Sequence, residues 1–248
     1  MHSTKRFLLK KGLGLTCVTN TQCKTSCLSA MFQLPLNSEG RSLSALLPYV
    51  LRVSCRDFPG QQAVAAQLDE LYGARVEPII RKRGEAQLIG FAADVIDEHF
   101  AMRGDTGLFA NTAQMMARIL LHPGEFTAEN VAREAAQLCA RIAALPDDKR
   151  TWAVRRMYQY LCDEEAFRLV ELGDIEEIRR AAPEQLAEQY QKILQTAPLE
   201  LFYCGSLDAD QAAQQLAQAF AERPEIDQLI TPKTQVLRVP KHEQLRYI

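Results

Sequence analysis

The chain has 248 residues, 47% apolar and 24% charged, with a formal net charge of −2 at pH 7. Those values fit an ordinary globular chain with a sizeable core and argue against disorder. A charge so near zero gives no reason to expect nucleic acid or an anionic membrane as partner, and no apolar run approaches the roughly 18 residues that span a bilayer.

In chain order, Lys5, Arg6, Lys10 and Lys11 around Phe7-Leu8-Leu9 imitate a signal peptide. The apolar part is too short and no small-residue cleavage site follows, so the chain reads as cytoplasmic. Residues 13–18 and 26–34 read as strands; in the second, Leu28, Ala30, Phe32 and Leu34 alternate with Cys27, Ser29, Met31 and Gln33. Asn37-Ser38-Glu39-Gly40 is a loop, and Ser42 or Ser44 is placed to cap the helix after it. Pro48 inside that helix removes a hydrogen bond and costs about 3 kcal/mol in an interior. The sequence therefore predicts a helix that starts late, near Leu47, or is kinked there.

A helix over residues 61–72 carries Val64, Leu68, Leu71 and Tyr72 on one face and stops at Gly73. A hairpin follows, from residues 75–81 through a turn at Arg83-Gly84 to residues 86–95. From Thr112 the chain is mostly helical: Met115, Met116, Ile119 and Leu120 share a face, Pro123-Gly124 breaks it, and Thr127 begins the next helix with Val131, Leu138 and Ile142 inward. A third helix, from Asp148 to Leu161, has Val154, Met157 and Leu161 at core spacing. Shorter helices at 174–181 and 184–195 precede an apolar strand at 199–204, and Asp208 with Gln211 makes a capping box for a helix ending near Arg223. The order predicts an α+β sandwich, an antiparallel sheet with helices layered on it. Residues 1–223 form this domain. Residues 224–248, with Pro224, Pro232 and Pro240, read as a linker plus one strand at 235–239, in a chain that ends abruptly.

Seven cysteines, an odd number scattered through a large chain, suit reduced thiols better than a disulfide framework. A zinc site from Cys17, Cys23, Cys27 and Cys55 matches no common ligand spacing. The four histidines, His2, His99, His122 and His242, are far apart in sequence, and His122 reads as a helix-end residue. Cys55 beside Arg52 and Arg56 is the obvious alternative nucleophile, but no histidine is near in sequence to serve as its base. Ser206 after Gly205 lacks the flanking glycines of a nucleophile elbow.

The string Leu46-Leu47-Pro48-Tyr49-Val50-Leu51-Arg52 and the later Leu71-Tyr72-Gly73-Ala74 are the most specific parts of a wider pattern. With Pro35-Leu36, Phe58-Pro59, the Gly84 hairpin, Asp148-Lys149, Arg156-Met157 and Glu164-Glu165-Ala166-Phe167, they follow the order of an insulinase/pitrilysin-type zinc metallopeptidase domain. The chain resembles that family over most of residues 13–248, and more narrowly the non-catalytic subunit of its small bacterial heterodimeric members. An active member carries His-x-x-Glu-His, with both histidines on zinc and the glutamate activating water. Here the matching positions are Ala45, Pro48 and Tyr49, and a methyl group, an imino acid and a phenol do none of this. The resemblance puts the third zinc ligand near Arg141, with Glu134 as rival, and makes the chain the first of two repeated domains.

What the resemblance implies is therefore a subunit with no catalytic residue, no metal and no cofactor of its own, paired with an active homologous zinc peptidase subunit to process peptides. Substrate contacts are unknown residue by residue; strand addition along a sheet edge would place them on strands such as residues 30–34. The alternative is a non-proteolytic scaffold or protein-modification-associated binding factor using the same fold. Tyr49 either fills the space of the missing metal or donates a hydrogen bond into a substrate groove. An isolated first domain exposes the face that meets the second, which predicts self-association of the fragment.

Overall fold

A computed structural model describes residues 3–102, 105–226 and 228–232. The strand expected at 235–239, most of the 224–248 segment, His2 and His242 lie outside them. Strands β1 (Ser3–Lys10), β2 (Leu13–Thr19), β3 (Thr25–Pro35), β4 (Arg75–Arg83), β5 (Ala86–Ile96) and β6 (Leu199–Gly205) form one sheet in the order β1-β2-β6-β3-β5-β4. The helices are α1 (Arg41–Leu51), α2 (Gln61–Glu70), α3 (Leu108–Leu121), α4 (Ala128–Ala143), α5 (Lys149–Leu161), α6 (Ile175–Arg179), α7 (Pro183–Thr196) and α8 (Ala209–Ala219). The α+β sandwich expected from the sequence is what the chain adopts, with one change: β2 and β6 pair in parallel, while every other pairing is antiparallel. Parallel neighbours need a long crossover, here nearly the whole helical block, so no local turn announces the pair.

The core follows the alternation of β3. Leu28, Ala30, Phe32 and Leu34 are buried, while Cys27, Ser29, Met31 and Gln33 on the other face are only half-buried. In β6, Leu199, Leu201 and Tyr203 continue the buried row, and Phe109 of α3 packs edge-on against Tyr203 at 4.8 Å. Gly90 keeps β5 close to β3: a side chain there would come within 1.9 Å of the Ala30 carbonyl oxygen. Because β3 is hydrogen-bonded to β5 along its length and to β6 from Cys27 to Phe32, residues 30–34 do not form a free edge, and strand addition there is ruled out for most of that span. The open edges are β1 and β4. Pro78 sits in β4, where a missing N–H is tolerated.

Strand β1 is absent from the sequence expectation because most of its side chains are exposed and none is fully buried, so no buried row marks it. Helix α3 begins at Leu108, four residues before Thr112, behind a Gly107 with φ of 76°. Helix α5 departs further from expectation. It buries no residue, and Val154, Met157 and Leu161 are 45%, 43% and 72% exposed. The helix rests on the turns at 145–147 and 166–168, with Tyr158 edge-on to Phe167 at 5.2 Å and Arg155 paired to Glu171 at 2.9 Å. Periodicity reports an apolar stripe but not what covers it.

Asp97 ties the ends of three strands together. Its backbone N–H donates to Lys24 O at 2.9 Å, and its carboxylate accepts from the His99 backbone N–H at 3.0 Å and from the His99 ring at 2.7 Å, with the Ser206 hydroxyl as a further partner. Burial pushes the carboxyl up, but the hydrogen bonds from Ser206 and His99 outweigh it and hold it below the usual range. A lowered folded-state pKa means the stabilisation is present above the unfolded value of about 3.9 and is lost as pH falls through the folded value. Asp97→Asn is expected to cost about 2 kcal/mol at pH 7 in urea unfolding. The difference from the native chain should close below about pH 4.

Candidate functional site

The positions of interest lie on α1. The helix runs unbroken from Arg41 to Leu51, so it does not start late at Leu47, and Pro48 is interior. Its N-cap is Gly40 in the left-handed region with φ of 73°, not a serine. Ser42 and Ser44 point inward instead. Ser42 Oγ bonds the Glu177 carboxylate and accepts from the Asp174 N–H at 2.9 Å, and Ser44 Oγ accepts from Gln189 Nε2 at 2.8 Å. These contacts to α6 and α7 help hold a helix that lacks one internal hydrogen bond at Pro48.

Nine of the eleven α1 residues are buried, including Ala45 at 0% exposure and Tyr49 at 7%. Beside Pro48 there is a gap of only about 10 Å³, lined by Phe32, Leu47, Leu51, Leu120 and Tyr190. That is about room for one water, in apolar surroundings. The Tyr49 hydroxyl accepts from Arg141 Nη1 at 3.0 Å, and the Arg141 guanidinium carbon lies 4.8 Å from the Tyr49 ring centroid. Arg141 is exposed in the last turn of α4, and Leu138 and Glu134 are buried on the same helix one and two turns earlier. Glu134 Oε1 accepts from Arg133 Nε at 3.1 Å. The phenol therefore packs with one satisfied hydroxyl, and a fixed cation stacks on it.

Zinc at these positions needs neutral imidazoles and carboxylates. Ala45, Pro48 and Tyr49 supply none, and Arg141 adds a positive charge beside them, so the residues present do not fit the metal. Among the described residues, no group of three or more His, Cys, Asp or Glu side chains is placed to hold an ion. His99 pairs with Asp97, while His122 ends α3 and pairs with Glu222 at 3.0 Å. Cys55 is buried against Phe58 and Pro123, and burial raises its thiol, the opposite of an activated nucleophile. Ser206 engages Asp97 directly; in a catalytic triad the imidazole stands between serine and carboxylate, and here the carboxylate is the hub. The Tyr49–Arg141 contact joins residues 92 apart, and nothing in their spacing announces it.

The fold and α1 together define a peptidase-like domain whose motif positions cannot bind zinc. No family model matches the chain. Over 213 residues it is 30% identical to the "probable inactive metalloprotease YmfF" of Bacillus subtilis, covering 84% of this chain and 50% of that protein. A conserved protein from Enterococcus faecalis superposes with a TM-score of 0.82 at 22% identity, over 95% of this chain and 56% of that one. A peptidase M16 inactive domain from Pseudomonas fluorescens does so with a TM-score of 0.69 at 15% identity, over 94% and 53%. The chain has the fold of insulinase/pitrilysin-type (M16) peptidase domains and is similar to proteins named as inactive. It spans about half the length of the curated relative it matches.

If Tyr49 is packing with a satisfied hydroxyl, its substitutions separate into two sizes. Tyr49→Phe is expected to cost about 1 kcal/mol in urea unfolding and Tyr49→Ala about 3 kcal/mol.

Proposed function

We propose that the chain is a catalytically inactive peptidase-family subunit that pairs with an active zinc-dependent homologue to process peptides. The observation that carries this reading is the Tyr49–Arg141 contact on a buried α1, which fills the motif positions with a phenol and a guanidinium. A relative named as inactive over the same span supports it. Residues 1–223 are the first peptidase-like domain and the segment from 224 opens a second, consistent with a chain spanning half of that relative. In such a pair the inactive half closes the chamber and supplies part of its wall, while the partner carries the zinc. The pair works in the cytoplasm; no helix among the described residues is long and apolar enough to cross a membrane.

The exposed stripe on α5, Val154, Met157, Tyr158 and Leu161 at i, i+3, i+4 and i+7, is an apolar face of the kind that subunit contacts cover. Two measurements follow. Affinity purification of the full-length protein from its own cells should recover a homologue with an intact His-x-x-Glu-His that holds the zinc of the complex. Recovery of the protein alone, or with an unrelated enzyme, would overturn the pairing. By light scattering, the 248-residue chain should self-associate at high concentration, and Met157→Asp with Leu161→Asp should return it to a monomer.

A further inference from the structure

The seven cysteines belong to no disulfide, and the fold separates most of them. Cys17 lies in the core and Cys55 in the loop against Pro123. The sheet register, however, sets Cys27 of β3 directly opposite Cys204 of β6, and Asp94 of β5 opposite Cys27 on the other side. Residues opposite one another share a face, so Asp94, Cys27 and Cys204 form a row across three strands on the sheet's less buried side. Directly opposed residues in an antiparallel pair have Cα atoms about 4.5 or 5.5 Å apart. Both spacings fall within the roughly 4.4–6.8 Å over which a disulfide closes. Both thiols are half-buried, and Asp94 is hydrogen-bonded to Cys27.

We propose that Cys27 and Cys204 are a redox-convertible pair that closes a cross-strand disulfide between β3 and β6 on exchange with a small-molecule disulfide. The Cys204 thiolate attacks the small disulfide, forming a mixed disulfide and releasing one small thiol. Cys27, giving its proton to the Asp94 carboxylate, then attacks the Cys204 sulfur; the second small thiol leaves and takes up that proton. Two protein thiols are oxidised and one small disulfide is reduced to two thiols. Burial raises both thiols, with Asp94 and Cys204 adding to the effect at Cys27 and Cys23 at Cys204, so little thiolate is present and the exchange is slow. The bridge joins residues 177 apart, β3 at the sheet's centre to the last of the described strands, and such a long closure restricts the unfolded chain strongly.

The test incubates the folded chain with graded ratios of oxidised to reduced glutathione, then alkylates, digests with trypsin and maps disulfides by mass spectrometry. Lys24 separates the peptide holding Cys27 from that holding Cys17 and Cys23, so the bridge is assigned without ambiguity. The expected result is a Cys27–Cys204 linked peptide as the main product, retained in Cys23→Ser, lost in Cys204→Ser, and accompanied by a melting temperature several degrees higher. A Cys23–Cys204 link, or glutathione adducts without any link, would overturn the proposal. The wild-type digest decides this even if Cys204→Ser fails to fold.

Discussion

The burial of α1 against the sheet is the constraint on which the rest depends. The helix has an apolar stripe, but nearly all of its surface is covered, by β4 and β5 beneath and by α4, α6 and α7 around it. Ser42 and Ser44 contribute polar contacts to these neighbours where a surface helix would carry charge. A metallopeptidase needs this helix to open one face to a metal, a water and a peptide. Here that face holds Ala45 and Pro48 in the packed interior and closes at Tyr49 with an arginine from α4. Packing fills the positions where an active member holds its metal, and a buried phenol with its hydroxyl bonded is a good core residue.

The Pro48 position shows how the substitution is tolerated. An interior proline removes the hydrogen bond to Ser44 O and crowds the preceding turn. An isolated helix of this length would be marginal even without that loss. Tertiary contacts decide otherwise: Leu46, Leu47, Val50 and Leu51 are each less than 5% exposed, and their burial outweighs one missing backbone bond. The same residue that ends any role as a catalytic carboxylate is thus held by a core that does not need it to be anything else.

Much of the fold was legible because local signals agree with the final packing. The alternation of β3, the Gly84 hairpin joining β4 to β5, the Thr127 cap of α4 and the apolar run of β6 all appear where their patterns put them. Most of the misses share one cause, information carried by distant partners. Strand β1 has no buried row of its own and exists because β2 offers an edge. The parallel pairing of β2 with β6 joins segments nearly two hundred residues apart. The start of α1 depends on a left-handed glycine and on Glu177 and Gln189, none of which follows from serine capping preferences. For α5 the sequence shows the apolar stripe but not that it stays exposed. At the motif, absence of chemistry was visible in three residues, but the guanidinium that occupies the space came from another helix.

The central claim is that α1 with Arg141 is closed to zinc, not merely stripped of ligands. Its most direct test is zinc stoichiometry and affinity, by metal analysis and calorimetry, in the chain carrying Ala45→His, Pro48→Glu and Tyr49→His, with and without Arg141→Glu. The account predicts that the restored motif alone binds no stoichiometric zinc and that adding Arg141→Glu permits it. Tight, stoichiometric zinc in the triple variant with Arg141 intact would contradict it.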